Sequence, residues 1–217
     1  MATRPVYIPG LNSAQLVIPV EIEFQWFPGF SISQKQKSIA GLHTAAAQRN
    51  IPSVLEISSK SPDKLGVQLS AFNLQFPMQD GRYLSIENVF QSSKIFENGG
   101  PYLDLLGVSA KEAKTDPRLR SSGPLRGFCL AESDWPLQPV TAFYDWLYLT
   151  ALKSAPDLAT QLLGYDGFSD IEFNPNRSLN CQAASAALFV SLVRRDEFDA
   201  AMQNQQSFLA RLNQVAK

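Results

Sequence analysis

Residues 69–101, LSAFNLQFPMQDGRYLSIENVFQSSKIFENGGP, hold the change of pattern that decides the fold. From Leu69 to Phe76 the side chains read as an extended segment that ends at Pro77. The turn-forming run Gln79-Asp80-Gly81 then leads into Tyr83-Leu84, which together predict a hairpin. At Ser85 the period changes from two to three or four. Ser85 is an N-cap residue, and the helix it opens is expected over 86–97, closed by Asn98-Gly99-Gly100-Pro101.

Working outward, Val6-Tyr7-Ile8 and Val20-Glu21-Ile22-Glu23-Phe24 favour strands and are punctuated by Pro9-Gly10, Pro19 and Pro28-Gly29. Ser31 or Ser33 caps a helix to about Asn50, whose weak apolar face is Ile39, Leu42, Ala46 and Ala47 and which Pro52 stops. A third strand, Val54 to Ser58, follows. Further helices are expected near 109–115, 140–154, 157–163, 180–194 and 196–214, with an irregular loop over 165–178. Few strands and many helices give an α+β class, mainly helical, with a small sheet or hairpins in the N-terminal half.

The charge balance is close to neutral at -1, so no global basic field draws the chain to nucleic acid. Any such contact must come from a local patch, for which Lys111, Lys114, Arg118, Arg120 and Arg126 are the best candidates. A run of this kind equally suits a solvated face. Arg194-Arg195 suit the dipole at a helix end. The N-terminus lacks the apolar run of a signal peptide and no stretch is long enough to span a bilayer, so a cytoplasmic protein without membrane contact is expected. Cys129 and Cys181 lack metal-ligand spacing and read as buried small residues, so no metal site is expected. With His43 the sole histidine, inside an amphipathic helix, a Ser-His-Asp or Cys-His centre has one place to form. Carboxylate and lysine are therefore the more suitable reagents.

On an ideal helix Glu87, Gln91 and Lys94 fall within about 60° of one another, beside the apolar arc of Ile86, Val89, Phe90 and Phe96. Glu87 lies in the first turn, where the dipole favours a carboxylate, and Lys94 is its natural cationic neighbour. Burial lowers a lysine pKa and a neighbouring carboxylate raises it; spacing alone does not decide between them. A neutral lysine would be a nucleophile suited to an aldehyde or anomeric carbon. The same stripe also suits a solvated amphipathic helix.

Three runs carry a resemblance: Leu69-Ser70-Ala71-Phe72-Asn73, then Asp80 to Glu87, then Phe90-Gln91-Ser92-Ser93-Lys94. In order and spacing they resemble the NADAR (YbiA-like) family pattern, an LSNF-type strand before an S-x-E-x-x-x-Q-x-x-K helix. Ile57 to Ser61 resembles the strand end that opens the family domain, Trp135 a tryptophan before a long helix, and Asn180 the start of its last apolar helix. The likeness covers about 53–195, with 1–52 as an N-terminal extension packed on the same domain and 196–217 as a C-terminal helix. Two departures stand out. The strand has Ser70-Ala71-Phe72-Asn73 where the family has SNF, and the stretch 168–175, from Phe168 to Pro175, replaces a WG-type loop. Asp170 is carried over as the acidic loop residue, with Glu172 its rival.

The extension and the run at 92–102 look closest to NADAR proteins paired with DarT-type toxins, which attach ADP-ribose to guanine in single-stranded DNA. The resemblance implies an antitoxin that hydrolyses the N-glycosidic bond between base and ribose without a cofactor, Lys94 forming a Schiff base and Glu87 moving protons. Its expected substrate is ADP-ribosylated guanine in single-stranded DNA or as free nucleotide, and its product ADP-ribose. Asp170 joins the catalytic set, and Ser59, Asn73, Gln91, Trp135 and Asn180 the substrate contacts. Ser59 and Asn73 equally suit local backbone capping, and Trp135 equally suits core packing. Tyr144, Trp146 and Tyr148 read as core and surface aromatics rather than a stacking platform. Two other functions fit the same fold: an N-glycosidase acting on ribosylamino pyrimidines of riboflavin synthesis, and a non-enzymatic binder of ADP-ribose or of the toxin.

Overall fold

The computed structural model describes residues 1–174 and 178–214. They form two compact units, one of residues 1–70 with 155–214 and one of residues 71–154. The α+β class holds, with helices outnumbering short strands. No described helix is long and apolar enough to cross a membrane.

In the first unit β1 (Ala2–Pro9) and β2 (Val17–Phe24) pair antiparallel along their full length. Helix α1 (Ile32–Ala47) is capped by Ser31, which accepts from the Gln34 amide. It ends at Gln48, ahead of Pro52. Ile39, Leu42 and Ala46 pack on Val6, Ile22, Phe24, Ile51 and Ile171, so three of the four residues of the expected apolar face of α1 meet the sheet, while Ala47 is exposed. β3 (Val54–Glu56) follows, then the short helix α2 (Lys64–Gln68), capped by Asp63.

The first unit's leading segment ends at Ser70, and the second unit starts at Ala71. Residues 69–74 are not extended: Ser70 donates both its amide and its hydroxyl to the Val67 carbonyl, and a turn follows. Side-chain bonding back to the preceding helical turn displaces the strand conformation. Only Gln75–Pro77 (β4) is extended, and it pairs with β5 (Tyr83–Ser85) as the expected hairpin.

Helix α3 is Ile86–Ser92, not 86–97. Ser92 and Ser93 both turn their hydroxyls onto the Val89 carbonyl, at 3.0 and 2.7 Å, in competition with continued helix. The chain then enters β6 (Lys94–Phe96), paired with β7 (Leu125–Leu130), which pairs in turn with β8 (Ser133–Trp135). Gly100, at φ +88°, closes the return: a Cβ there would lie 2.2 Å from the Lys94 carbonyl oxygen. A 3-10 turn (Leu103–Gly107), α4 (Ala110–Thr115) and α5 (Arg118–Ser121) precede β7, and α6 (Ala142–Lys153) closes this unit.

Back in the first unit come α7 (Pro156–Leu162), β9 (Gly167–Ser169) and α8 (Gln182–Arg194). The stretch 165–178 is therefore not wholly irregular, and its residues 175–177 lie outside those described. β9 sits between β1 and β3 in a four-stranded sheet of order β2-β1-β9-β3, parallel to β3 and antiparallel to β1. Three residues with one aromatic carry no readable period, which hid this strand. The region 196–214 is also two helices, α9 (Phe198–Ala201) and α10 (Gln205–Asn213), because Asn204 caps a new start by accepting from the Ser207 amide.

Phe168, wholly buried at the centre of β9, ties this sheet together. Phe168→Ala should cost about 3–5 kcal/mol in urea unfolding, the usual range for a buried aromatic. A loss below about 1 kcal/mol would show that β9 is not part of the stable core.

Candidate active site

The hairpin delivers Ser85 to the start of α3, where its hydroxyl accepts from the Asn88 amide at 3.1 Å. The carbonyl of Ala71 accepts from the Glu87 amide at 2.9 Å, filling one of the donors that a helix start leaves open. Every residue of α3 is buried, Glu87 being 5% and Gln91 7% exposed, so the solvated reading of this stripe fails. Gln91 Nε2 donates to Glu87 Oε1 at 2.7 Å, the contact expected of residues four apart on one helix. Gln91 Oε1 is buried with no hydrogen-bond partner among the described residues.

Lys94 stands on β6 rather than on the helix, and the Glu87 charge acts on it from α3. Its ammonium lies 4.7 Å from the centre of the Phe90 ring, and Phe90 packs against Phe128, Phe143 and Tyr144. Burial on this aromatic wall pushes the Lys94 amine down to about 8, with Glu87 opposing the shift and Lys114 adding to it. The question that spacing left open is thus decided in favour of desolvation. Sequence reasoning placed Lys114 in a basic run. Here its Nζ lies 3.6 Å from Glu87 Oε2 and 4.9 Å from the Phe72 ring centre.

Two more residues of that run, Arg118 and Arg126, are ion-paired. Arg118 binds Asp104 and Asp116 and stacks on Tyr102, and Arg126 binds Glu97. Trp135 is buried against Phe143 and Trp146, in a packing position. Tyr144 and Tyr148 are buried as expected, while Trp146 is half-buried. Asn73 is exposed, and its carbonyl accepts from Gln75.

Ser59, Asp170 and Asn180 belong to the first unit. Ser59 is exposed in a turn, and the Asn180 carbonyl accepts from Ser178. Pro175, at the end of the acidic stretch, lies outside the described residues. Asp170 accepts from the amides of Glu172 and Phe173 and from Gln182 Nε2. Its rival Glu172 is exposed and paired with Lys35 at 2.9 Å. Burial, helped by nearby Glu56, pushes the Asp170 carboxyl up to about 8.

Glu56 was not singled out from the sequence, and its strand position offered no signal beyond an acidic residue in an apolar run. It is 1% exposed, and burial raises its pKa. Glu56 Oε1 accepts from the Ile171 amide at 2.8 Å, and Oε2 from the Ser169 hydroxyl at 2.5 Å. His43 Nε2 meets the same hydroxyl at 2.9 Å, and burial pushes this imidazole down to about 4. Here the Glu56 carboxyl group engages the serine and not the imidazole, which is the wrong order for a Ser-His-acid triad. Burial holds the Cys181 thiol well above its usual range, while Cys129 is only half-buried, contrary to expectation. No cluster of three or more metal-binding side chains occurs among the described residues. Arg194 and Arg195 donate to loop carbonyls, Arg194 to Leu163 and Tyr165 and Arg195 to Gly10 and Ser13.

An α+β protein with a desolvated lysine beside a buried glutamate is what fold and site define together. The family model of the DarT1-associated NADAR antitoxins matches residues 2–217, and the chain belongs to that family. The match takes in the first fifty residues as well as the region of the lysine. No curated protein matches the chain.

Because Glu56 and Asp170 both hold their protons above the ordinary carboxylate range, the folded chain retains protons that the unfolded chain releases. Stability should therefore fall as pH rises above the ordinary carboxylate range, up to about 8 where Asp170 releases its proton, by up to about 1.4 kcal/mol per pH unit for each proton retained, with His43, pushed down to about 4, opposing the fall below about 6.5. Glu56→Gln removes one such carboxyl and relieves Asp170. Urea midpoints between pH 5 and 8 should be flatter in this variant; parallel curves would reject the buried acid pair.

Proposed function

We propose that this antitoxin acts as an N-glycosidase that removes ADP-ribose from ADP-ribosylated guanine, with Lys94 as nucleophile and Glu87 as proton carrier. The observation that carries the reading is the Lys94 amine, held near pKa 8 by burial on the Phe90 wall beside the Glu87 carboxylate. A lysine near this value has a useful neutral fraction at physiological pH.

The neutral amine adds to the anomeric carbon of the ribose as the bond to guanine breaks, the bonding pair leaving on the base nitrogen. Glu87 takes the proton from the new ammonium and passes it to the departing base. The nitrogen lone pair then opens the sugar ring, giving an imine to Lys94 and a free ring hydroxyl. Water adds to the imine carbon, the lysine leaves as amine, and the released aldehyde recloses as ADP-ribose. The sum is substrate plus water to ADP-ribose plus guanine, which needs no redox partner. The unpartnered oxygen of Gln91 is suited to a sugar hydroxyl. From the resemblance, Asn73, exposed in the same unit, is proposed as a further substrate contact. DNA as the carrier of the guanine, and the DarT1 toxin as the source of the modification, are proposed from the resemblance, and the family's association with DarT1 supports the second.

Lys94→Ala and Glu87→Gln should each lower release of ADP-ribose from a modified guanine oligonucleotide by at least about a hundredfold, with the fold retained by circular dichroism. Borohydride should trap a sugar adduct on Lys94 in the wild type alone. Turnover should rise with pH through about 8 as the amine loses its proton. Protection from the toxin that survives Lys94→Ala would instead identify a non-enzymatic binder.

A further inference from the structure

Lys114 is placed at this site by a chain of contacts. Asn88 Oδ1 accepts from the Ser85 hydroxyl at 2.5 Å, which fixes the amide group. Its Nδ2 donates to the carbonyls of Leu105 and Val108, at 2.8 and 2.9 Å, fastening the 3-10 turn and the approach to α4 onto α3. One residue further on, Ser109 and Glu112 form a capping box that sets where α4 begins. Lys114 therefore leaves α4 from a determined position. A solvated lysine needs none of this.

The ammonium is not closed down. At 3.6 Å its ion pair with Glu87 is longer than the 2.7–2.9 Å usual for a charge-assisted hydrogen bond, and its side chain is 52% exposed. Phe72 supports one side at 4.9 Å, leaving donors available to an incoming anion. Glu87 is buried beneath it and Gln91 presents an unpartnered oxygen beside Glu87. An amine for an anomeric carbon, an acceptor for a hydroxyl and an accessible cation suit three parts of one ligand, a phosphorylated sugar.

We propose that Lys114 is the phosphate anchor of this site: its ammonium binds the phosphate on the 5-carbon of the same ribose whose anomeric carbon meets Lys94, and so selects phosphorylated over plain ribosyl substrates. This rests on the glycosidase reading, and it assigns to one lysine a specificity that the reading leaves open. Two charged groups act on the Lys94 amine, Glu87 from α3 and Lys114 from α4, while β7 brings Phe128 opposite it in the ladder. Loss of Lys114 should therefore also move the pH dependence of turnover upward, a change that a merely structural residue would not produce.

The test uses the full-length protein with ribose 5-phosphate and ribose as probes, trapping adducts with borohydride and counting them by mass spectrometry. The wild type should be labelled by ribose 5-phosphate at least about tenfold faster than by ribose, the scale of one charge-assisted contact. Correcting for the different fraction of open-chain aldehyde in each sugar, Lys114→Gln should abolish the preference and Lys114→Arg should restore part of it. A preference undiminished in Lys114→Gln overturns the anchor while leaving the glycosidase standing. Should neither sugar label an enzyme that still releases ADP-ribose, the covalent step fails instead. The anchor is then judged by calorimetry with ADP-ribose, where an equal Kd for wild type and Lys114→Gln would overturn it and a Kd raised about tenfold would support it.

Discussion

A half-buried lysine amine set on an aromatic wall is the constraint on which the centre of the second unit depends. Phe90 makes the wall, and Phe128, Phe143 and Tyr144 hold Phe90 in place. An ammonium there is short of solvation, so its proton is loosely held. Glu87 restores part of that loss and Lys114 takes some of it back. The balance depends on where helix α3 stops. Had the helix continued through Lys94, the β6–β7 pairing that carries the lysine past Phe128 would be absent.

The first unit shows a comparable use of burial with a different result. Glu56 spends its two oxygens on the Ile171 amide and the Ser169 hydroxyl, so one buried carboxyl organises the segment that follows β9. Asp170 lies within that segment and is held by two amides and Gln182. A buried carboxyl with hydrogen bonds but no counter-charge still costs stability, and such cost is commonly met where a fold carries a functional group. His43, which the sequence left as the one place for a histidine centre, serves here as a neutral partner of Ser169.

Much of this was legible beforehand because its causes are local. The caps at Ser31 and Ser85, the hairpin around Gln79-Asp80-Gly81 and the apolar face of α1 each follow from neighbouring residues. The pairing of Glu87 with Gln91 follows from helical spacing alone. The two departures from the pattern differ in cause. β9 is a strand because the distant β1 and β3 flank it, whereas 69–74 is a turn for a local reason, Ser70 bonding back to the helix before it.

The amino-acid sequence by itself determined the α+β class, the start of α3 and the identity of the acid and the amine, since caps, turn residues and side-chain chemistry act over a few positions. Tertiary structure alone decided that Lys94 approaches from a strand, that Lys114 joins it, and that Glu56 is a buried clamp. Each of these depends on which surfaces lose water when segments far apart in the chain come together. Desolvation is a property of the packed neighbourhood, and no window of sequence contains that neighbourhood.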